Sequence, residues 1–215
     1  MKTAARDFRQ VLDTLQSLGL LLLTDARLPS AAAILAGETI SGSWWSHPRA
    51  REIFIGLNKL EAHPDVLITK LVSGKVTFLH RELWSDLLSI AAARERWQMR
   101  GLSAAAKYLL RLVDKEGLVQ SDEIVWPRRF QSEKIGGTVR ELELRLLIHT
   151  RQVHTESGAH ARMLETWRHW RARIEFPIEP RSPAESRHLF ESLITNLNEQ
   201  YGARARLGWQ AGSSR

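Results

Sequence analysis

Apolar residues recur along this chain with two periods, and the points where the period changes mark out its elements. Residues 7–18 set Phe8, Val11, Leu12 and Leu15 on one side of a helix, with Arg6, Arg9 and Gln10 on the other, the three-and-four spacing of an amphipathic helix. Gly19 ends it, because a residue without a Cβ takes the left-handed conformation that closes helices. Residues 20–23, all leucine, read as a short buried strand, and Pro29-Ser30 opens a small helix to Leu35. A turn over residues 42–48 leads into a helix over 49–61 that carries Ile53, Phe54, Leu57 and Leu60 on one side. His63-Pro64-Asp65 breaks it, since the residue before a proline leaves the α region. Residues 66–72 and 75–80 are β-branched and apolar runs around Ser73-Gly74, which is the signal of a β-hairpin. A helix over residues 82–92 follows, and Arg94-Glu95-Arg96 begins the connection to the second half.

In the second half Ser103 starts a helix that places Ala105, Tyr108, Leu109, Leu112 and Val113 on one face, and Gly117 stops it. Residues 120–124 offer a short second helix with a hydroxyl or carboxylate cap. Gly136-Gly137 reads as a hinge before a longer helix from Thr138, with Val139, Leu142, Leu146 and Leu147 inward. Residues 152–162 are polar around Ser157-Gly158 and make a wing. Taken in order, residues 102–170 carry the parts of a winged-helix DNA-binding domain. A basic helix over residues 166–173 comes next, then a stiff linker in which Pro177, Pro180 and Pro183 forbid helix. Ser182-Pro183 starts a last helix to about residue 200, with Leu189, Phe190, Leu193, Ile194 and Leu197 inward, and Arg204, Arg206 and Arg215 lie on a loose basic tail. The expected fold is α+β, mostly α: an N-terminal helical region with a β-hairpin over 1–100, a winged helix over 101–175, and a linker, helix and tail over 176–215.

Composition narrows the partner more than the fold. The chain has 215 residues, enough for one large domain or two small ones. Its formal charge of +7 favours an anionic partner. The absence of cysteine excludes disulfides, thiolate catalysis and cysteine zinc sites. The leucine run is far short of the roughly 20 apolar residues that span a bilayer, and no signal-peptide pattern is present, so a cytoplasmic protein with no membrane partner is expected. His149, His154 and His160 match no metal-binding spacing, and no glycine-rich phosphate loop occurs; neither metal nor cofactor is expected.

Three further features point to a family. Trp44-Trp45 is followed at the third position by Pro48, Lys70 and Gly74-Lys75 sit on the hairpin, and Arg81-Glu82-Leu83-Trp84 opens the next helix. With the layout of residues 102–170, this order resembles small bacterial proteins related to the AlkZ/YcaQ group of winged-helix DNA glycosylases. The resemblance implies an association with DNA and, in its enzymes, attack on the N-glycosidic bonds of alkylated bases through a Gln-x-Gln or Gln-x-Asp motif with an apolar middle residue. The comparable triplet here is Gln120-Ser121-Asp122, whose serine departs from that pattern. Gln120 and Asp122 are therefore the candidate catalytic pair, with Asp122 as a helix cap the structural alternative. His63 and Asp65 near Trp44 and Trp45 are a second place for a flipped base.

For DNA binding, Arg140 and Arg145 on the helix from Thr138 are the candidate readers of the major groove, because a guanidinium fork matches a guanine edge. Arg151, His154, His160 and Arg162, on or near the wing, would touch phosphates. Arg168 belongs to a basic run around Trp167 and Trp170 that could grip a backbone and stack on bases, and Lys70 and Lys75 could reach phosphate from the hairpin. Each has a structural alternative: pairing of Arg140 and Arg145 with Glu141 and Glu143, tryptophans that anchor a helix to the core, and lysines that guard an edge strand. The leading expectation is a winged-helix protein that binds double-stranded DNA. An active glycosylase for alkylated or modified bases and a non-enzymatic protein-interaction scaffold are the alternatives.

Overall fold

The first apolar stripe forms as its spacing dictates. In α1 (Lys2–Leu18), Val11 and Leu15 are fully buried. Gly19 follows at φ 75°, where a side chain would be strained, and a Cβ there would meet Leu83 at 2.7 Å. The chain continues through β1 (Leu20–Leu22), α2 (Ala31–Ala36), α3 (Ala50–Glu61), β2 (Val66–Thr69) and β3 (Thr77–His80). These strands form an antiparallel sheet in the order β1-β3-β2, with Leu20 opposite Leu79 and Val66 opposite His80. The hairpin turns at Ser73 (φ 52°) and Gly74 (φ 67°), and the Lys75 N–H donates to the Val72 carbonyl at 2.9 Å. Two successive left-handed residues make the type I′ reversal that suits the twist of the flanking strands.

The coordinates are a computed structural model that describes residues 2–40, 42–154 and 160–212. The fold is α+β and mostly helical. The backbone divides into two compact units, Met1–Trp84 with Arg187–Gly208, and Ser85–Ser186 with Trp209–Arg215. The division thus falls after Trp84 rather than after residue 100, and most of the last helix belongs to the first unit. Among the described residues no helix is long and apolar enough to cross a membrane.

The second unit runs through α4 (Trp84–Ala92), α5 (Arg96–Met99), α6 (Ala104–Glu116), β4 (Leu118–Gln120), α7 (Ile135–Leu144), β5 (Ile148–His154), β6 (His160–Thr166) and α8 (Trp167–Arg173), and α9 (Pro183–Tyr201) leads from it into the first. Its sheet has the order β4-β6-β5, with Val119 opposite Leu164 and Thr150 opposite Leu164 on the other side. Helix, strand, helix, hairpin, with the last strand central, is the winged-helix order expected here.

The first unit has the same order: α1, β1, α2, α3, then the β2–β3 hairpin with β3 in the middle of its sheet. Residue pattern alone predicts only a helical region with a hairpin here. The chain holds two winged helices.

Several local expectations change. Residues 120–124 are not a helix: Gln120 ends a strand begun at Leu118, pairs with Met163, and is followed by a turn. Where the second helix of this winged helix would stand there is only a 3-10 turn, Arg128–Phe130. α7 begins at Ile135, so Gly136 and Gly137 lie within its first turn rather than in a hinge before it. It ends before Leu146, which takes φ 51°, and the Leu147 N–H donates to the Leu142 carbonyl at 3.0 Å. That is a Schellman cap with leucine where glycine is usual.

Each unit has its own core. Leu15, Leu21, Ile53, Leu60 and Phe78 centre the first, and Leu109, Val113, Val139, Leu142 and Leu164 the second. Burying side chains of this size stabilises by about 1.5–3 kcal/mol each. Phe54 and Leu189, expected inward, are 42% and 39% exposed, because each lies one residue off its buried stripe. Residues 202–207 are not a loose tail. Leu207 is buried and bridged to Val72, the Ser73 N–H donates to the Arg206 carbonyl at 2.7 Å, and the Asn198 side chain brackets Ala205.

Candidate nucleic-acid interface

α7 presents an outer face on which its one half-exposed carboxylate, Glu141, is already engaged. Thr138, Val139, Leu142 and Glu143 turn inward, which leaves Gly136, Gly137 and Arg140 exposed. Both glutamates of the helix are engaged. Glu141 accepts from the Ser103 N–H at 2.9 Å and from its hydroxyl at 2.8 Å, while the same hydroxyl accepts from the Ala106 N–H at 3.0 Å and caps α6. Buried Glu143 accepts from the Thr150 hydroxyl at 2.5 Å and lies 3.4 Å from the Arg162 guanidinium. The expected alternative, in which Arg140 and Arg145 pair with these acids, is thus not formed by the bonds Glu141 and Glu143 make here.

Cations flank this face. Arg128, Arg129 and Lys134 are exposed just ahead of α7, with the Arg129 guanidinium 4.8 Å from the Phe130 ring centre, and Arg151 is exposed on β5. Glu133 is an exposed acid in the same stretch. A Cβ at Gly136 or Gly137 would meet nothing within 4 Å, so the backbone of the first turn is open to approach. That turn carries the partial positive charge of the helix dipole. Arg128, Arg129 and Lys134 are not among the sequence-predicted contacts, because the helix expected there begins at Thr138; the basic residues beside Pro127 are the available signal.

Other candidates have structural partners. Arg145 donates to the carbonyls of Trp97, Gln98 and Arg100 at 2.9, 3.2 and 2.8 Å. It ties the end of α5 and is not presented to a groove. Lys75 sits 2.6 Å from Asp25. Burial alone would raise the Asp25 carboxyl, but Lys75 and the backbone N–H groups of Arg27 and Leu28 outweigh it and hold it below its usual range. Lys70 is half-buried before the hairpin turn, and Arg168 is exposed on α8. Trp167 and Trp170 are 2% and 5% exposed, so they anchor α8 and do not stack on bases. His154 pairs with His160 across the hairpin. Their side chains and the wing tip, residues 155–159, lie outside the described residues.

Gln120 is the half-buried last residue of β4, and Asp122 is exposed in the turn after it. Ser121 between them continues the ladder: its N–H donates to the Arg162 carbonyl at 2.8 Å, and its hydroxyl accepts from the Arg162 N–H at 3.0 Å. The short helix that Asp122 was expected to cap is absent from residues 120–124. Asp65 is bound to Arg81 at 2.6 Å, and its N–H donates to His63 Nδ1 at 3.2 Å, so His63-Pro64-Asp65 is a turn.

His149 is also internal. Its Nδ1 is 3.1 Å from Glu165, and its ring packs 5.3 and 5.8 Å from those of Trp167 and Trp170. Arg173 reaches the same Glu165 oxygen at 2.5 Å. Burial would raise the Glu165 carboxyl, yet the hydrogen bonds from His149 and Arg173 prevail and hold it below the ordinary value. Comparisons with protein-family models, with curated proteins and with solved structures find no match to this chain.

Proposed function

We propose that the protein binds double-stranded DNA in the cytoplasm through its second winged helix, with α7 lying in the major groove. The observation that carries this reading is the outer face of α7, where Arg140 is exposed and both glutamates are engaged by other residues. Arg140 is placed to read base edges, and Arg128, Arg129, Lys134 and Arg151 to hold phosphates. A relation to the AlkZ/YcaQ group stays within this proposal as a relation of architecture. Glycosidic cleavage is not favoured, because Asp122 is exposed and Ser121 serves the sheet, whereas a flipped base needs an enclosed pocket.

The protein-interaction reading applies to the first winged helix. There Trp45, stacked on Trp44 at 3.9 Å, is 61% exposed beside Phe54, and Ile55 is 45% exposed. Exposed aromatic and aliphatic side chains grouped this way suit a protein surface.

Fluorescence anisotropy with intact duplex DNA and with duplex carrying an alkylated base, at two salt concentrations, tests the proposal. Binding that weakens steeply with salt is expected, with equal affinity for both duplexes and no base release. Absence of binding at low salt overturns it, and base release restores the glycosylase.

A further inference from the structure

A cavity of about 540 Å³ lies within the second unit, walled by α4, α8 and the linker at residues 178–181. Its size is ordinary for a small-molecule site, about 300–1,000 Å³. Leu88, Ala91, Leu147 and Trp167 give it an apolar lining, and Arg168 and Arg171 stand among the residues around it.

The charges here are unevenly matched. Asp114 is held through both carboxylate oxygens by Arg94, at 2.5 and 2.6 Å, and Glu179 is bound by Arg181 at 3.2 Å. Arg94 makes its contact from φ 48°, a left-handed conformation in a residue that is not glycine. Arg168 and Arg171 have no carboxylate partner among the described residues. The linker wall is fastened to α4, since the Glu179 N–H donates to the Ser85 hydroxyl at 3.1 Å.

Trp167 sits in the wall and gives the site a spectroscopic reporter. It lines the cavity and is 2% exposed, and its indole N–H is buried with no acceptor among the described residues. The indoles of Trp84, Trp97 and Trp126 all donate, to Leu79, Glu95 and Phe130.

We propose that this cavity binds an amphiphilic organic anion, a carboxylate on a flat apolar body. The carboxylate faces Arg168 and Arg171, and the body lies on Leu88 and Leu147 beside Trp167. This site stands apart from the α7 face and does not depend on DNA binding.

The test uses the full chain labelled with ¹⁵N, read at its indole N–H signals. Phenylacetate is titrated, with phenylacetamide (body without charge) and inorganic phosphate (charge without body) as comparators. The expected result is a saturable shift of the signal that disappears in Trp167→Phe, with both comparators binding at least about tenfold more weakly. Arg168→Gln with Arg171→Gln, both exposed positions, should weaken phenylacetate about tenfold while leaving the other indole signals in place. That double variant carries the test even if Trp167→Phe fails to fold. No saturable shift at millimolar phenylacetate, equal binding of the amide, or an unchanged affinity in the double variant overturns the proposal.

Discussion

α3 and α7 hold the same position in their winged helices, each just before a two-stranded hairpin, and they turn different chemistries outward. α3 exposes Phe54 and Ile55 with charges of both signs, Arg51, Glu52, Lys59 and Glu61, and α7 exposes Gly136, Gly137 and Arg140 with its two glutamates engaged by Ser103 and Thr150. Their hairpins differ too. Lys75 near the first tip is paired with Asp25, and Arg151 on the second is exposed. The order of elements is therefore no guide to what a winged helix binds; the residues on the outer face of its third helix are.

The largest expected effect separates the two helices directly. Lys134→Ala, Arg140→Ala and Arg151→Ala combined should weaken duplex binding about 100-fold at low salt and flatten the salt dependence by about 0.9 per lost phosphate contact. Arg51→Ala with Lys59→Ala on α3 should change affinity less than about twofold in the same anisotropy assay. Equal losses from both sets would erase the distinction between the helices.

Next in size is Glu165→Gln, which removes the charge shared by His149 and Arg173 in the second unit. It should destabilise by about 2 kcal/mol at neutral pH in chemical denaturation. Because the folded-state value lies below the unfolded one, this stabilisation is full above the ordinary carboxyl value of 4.5 and is lost as pH falls through the lower, folded value. Wild type and variant should thus converge in acid, and a gap that stays constant with pH would remove the charge from the explanation.

Gly56→Val tests packing that only the first unit has. A Cβ at Gly56 would come 2.6 Å from Leu35 of α2, where the second unit has only a 3-10 turn. A loss of about 1.5 kcal/mol is expected, with DNA affinity unchanged. The smallest effect belongs to Lys75→Ala: less than about 1 kcal/mol of stability, as for a partly exposed ion pair, and no loss of DNA affinity. A clear loss of affinity would return the first hairpin to the DNA interface.

Local signals were legible in the sequence and long-range ones were not. The stripe of α1 and the Ser73-Gly74 turn follow from neighbours in the chain. The elements of the first winged helix, its leucine strand included, are each legible, but their assembly is not, because β1 pairs with Thr77–Leu79 far along the sequence. α7 was placed between the wrong ends for two reasons. Gly136-Gly137 resembles a break yet is helical, and Leu146 closes the helix in a conformation that its side chain does not advertise. At the candidate site, Arg140 follows from the helix period and Arg151 from its place beside the expected wing, and both are exposed. Arg145 looked equivalent, but its guanidinium is held by three carbonyls some 45 residues earlier in the chain.

Hydrogen–deuterium exchange of the full chain, free and saturated with duplex DNA, tests most directly whether the second winged helix alone carries the DNA. Slower exchange confined to residues 128–154, strongest in the first turn of α7, is the expected result. Protection at residues 44–61, around Trp45 and α3, with none at α7, would contradict it.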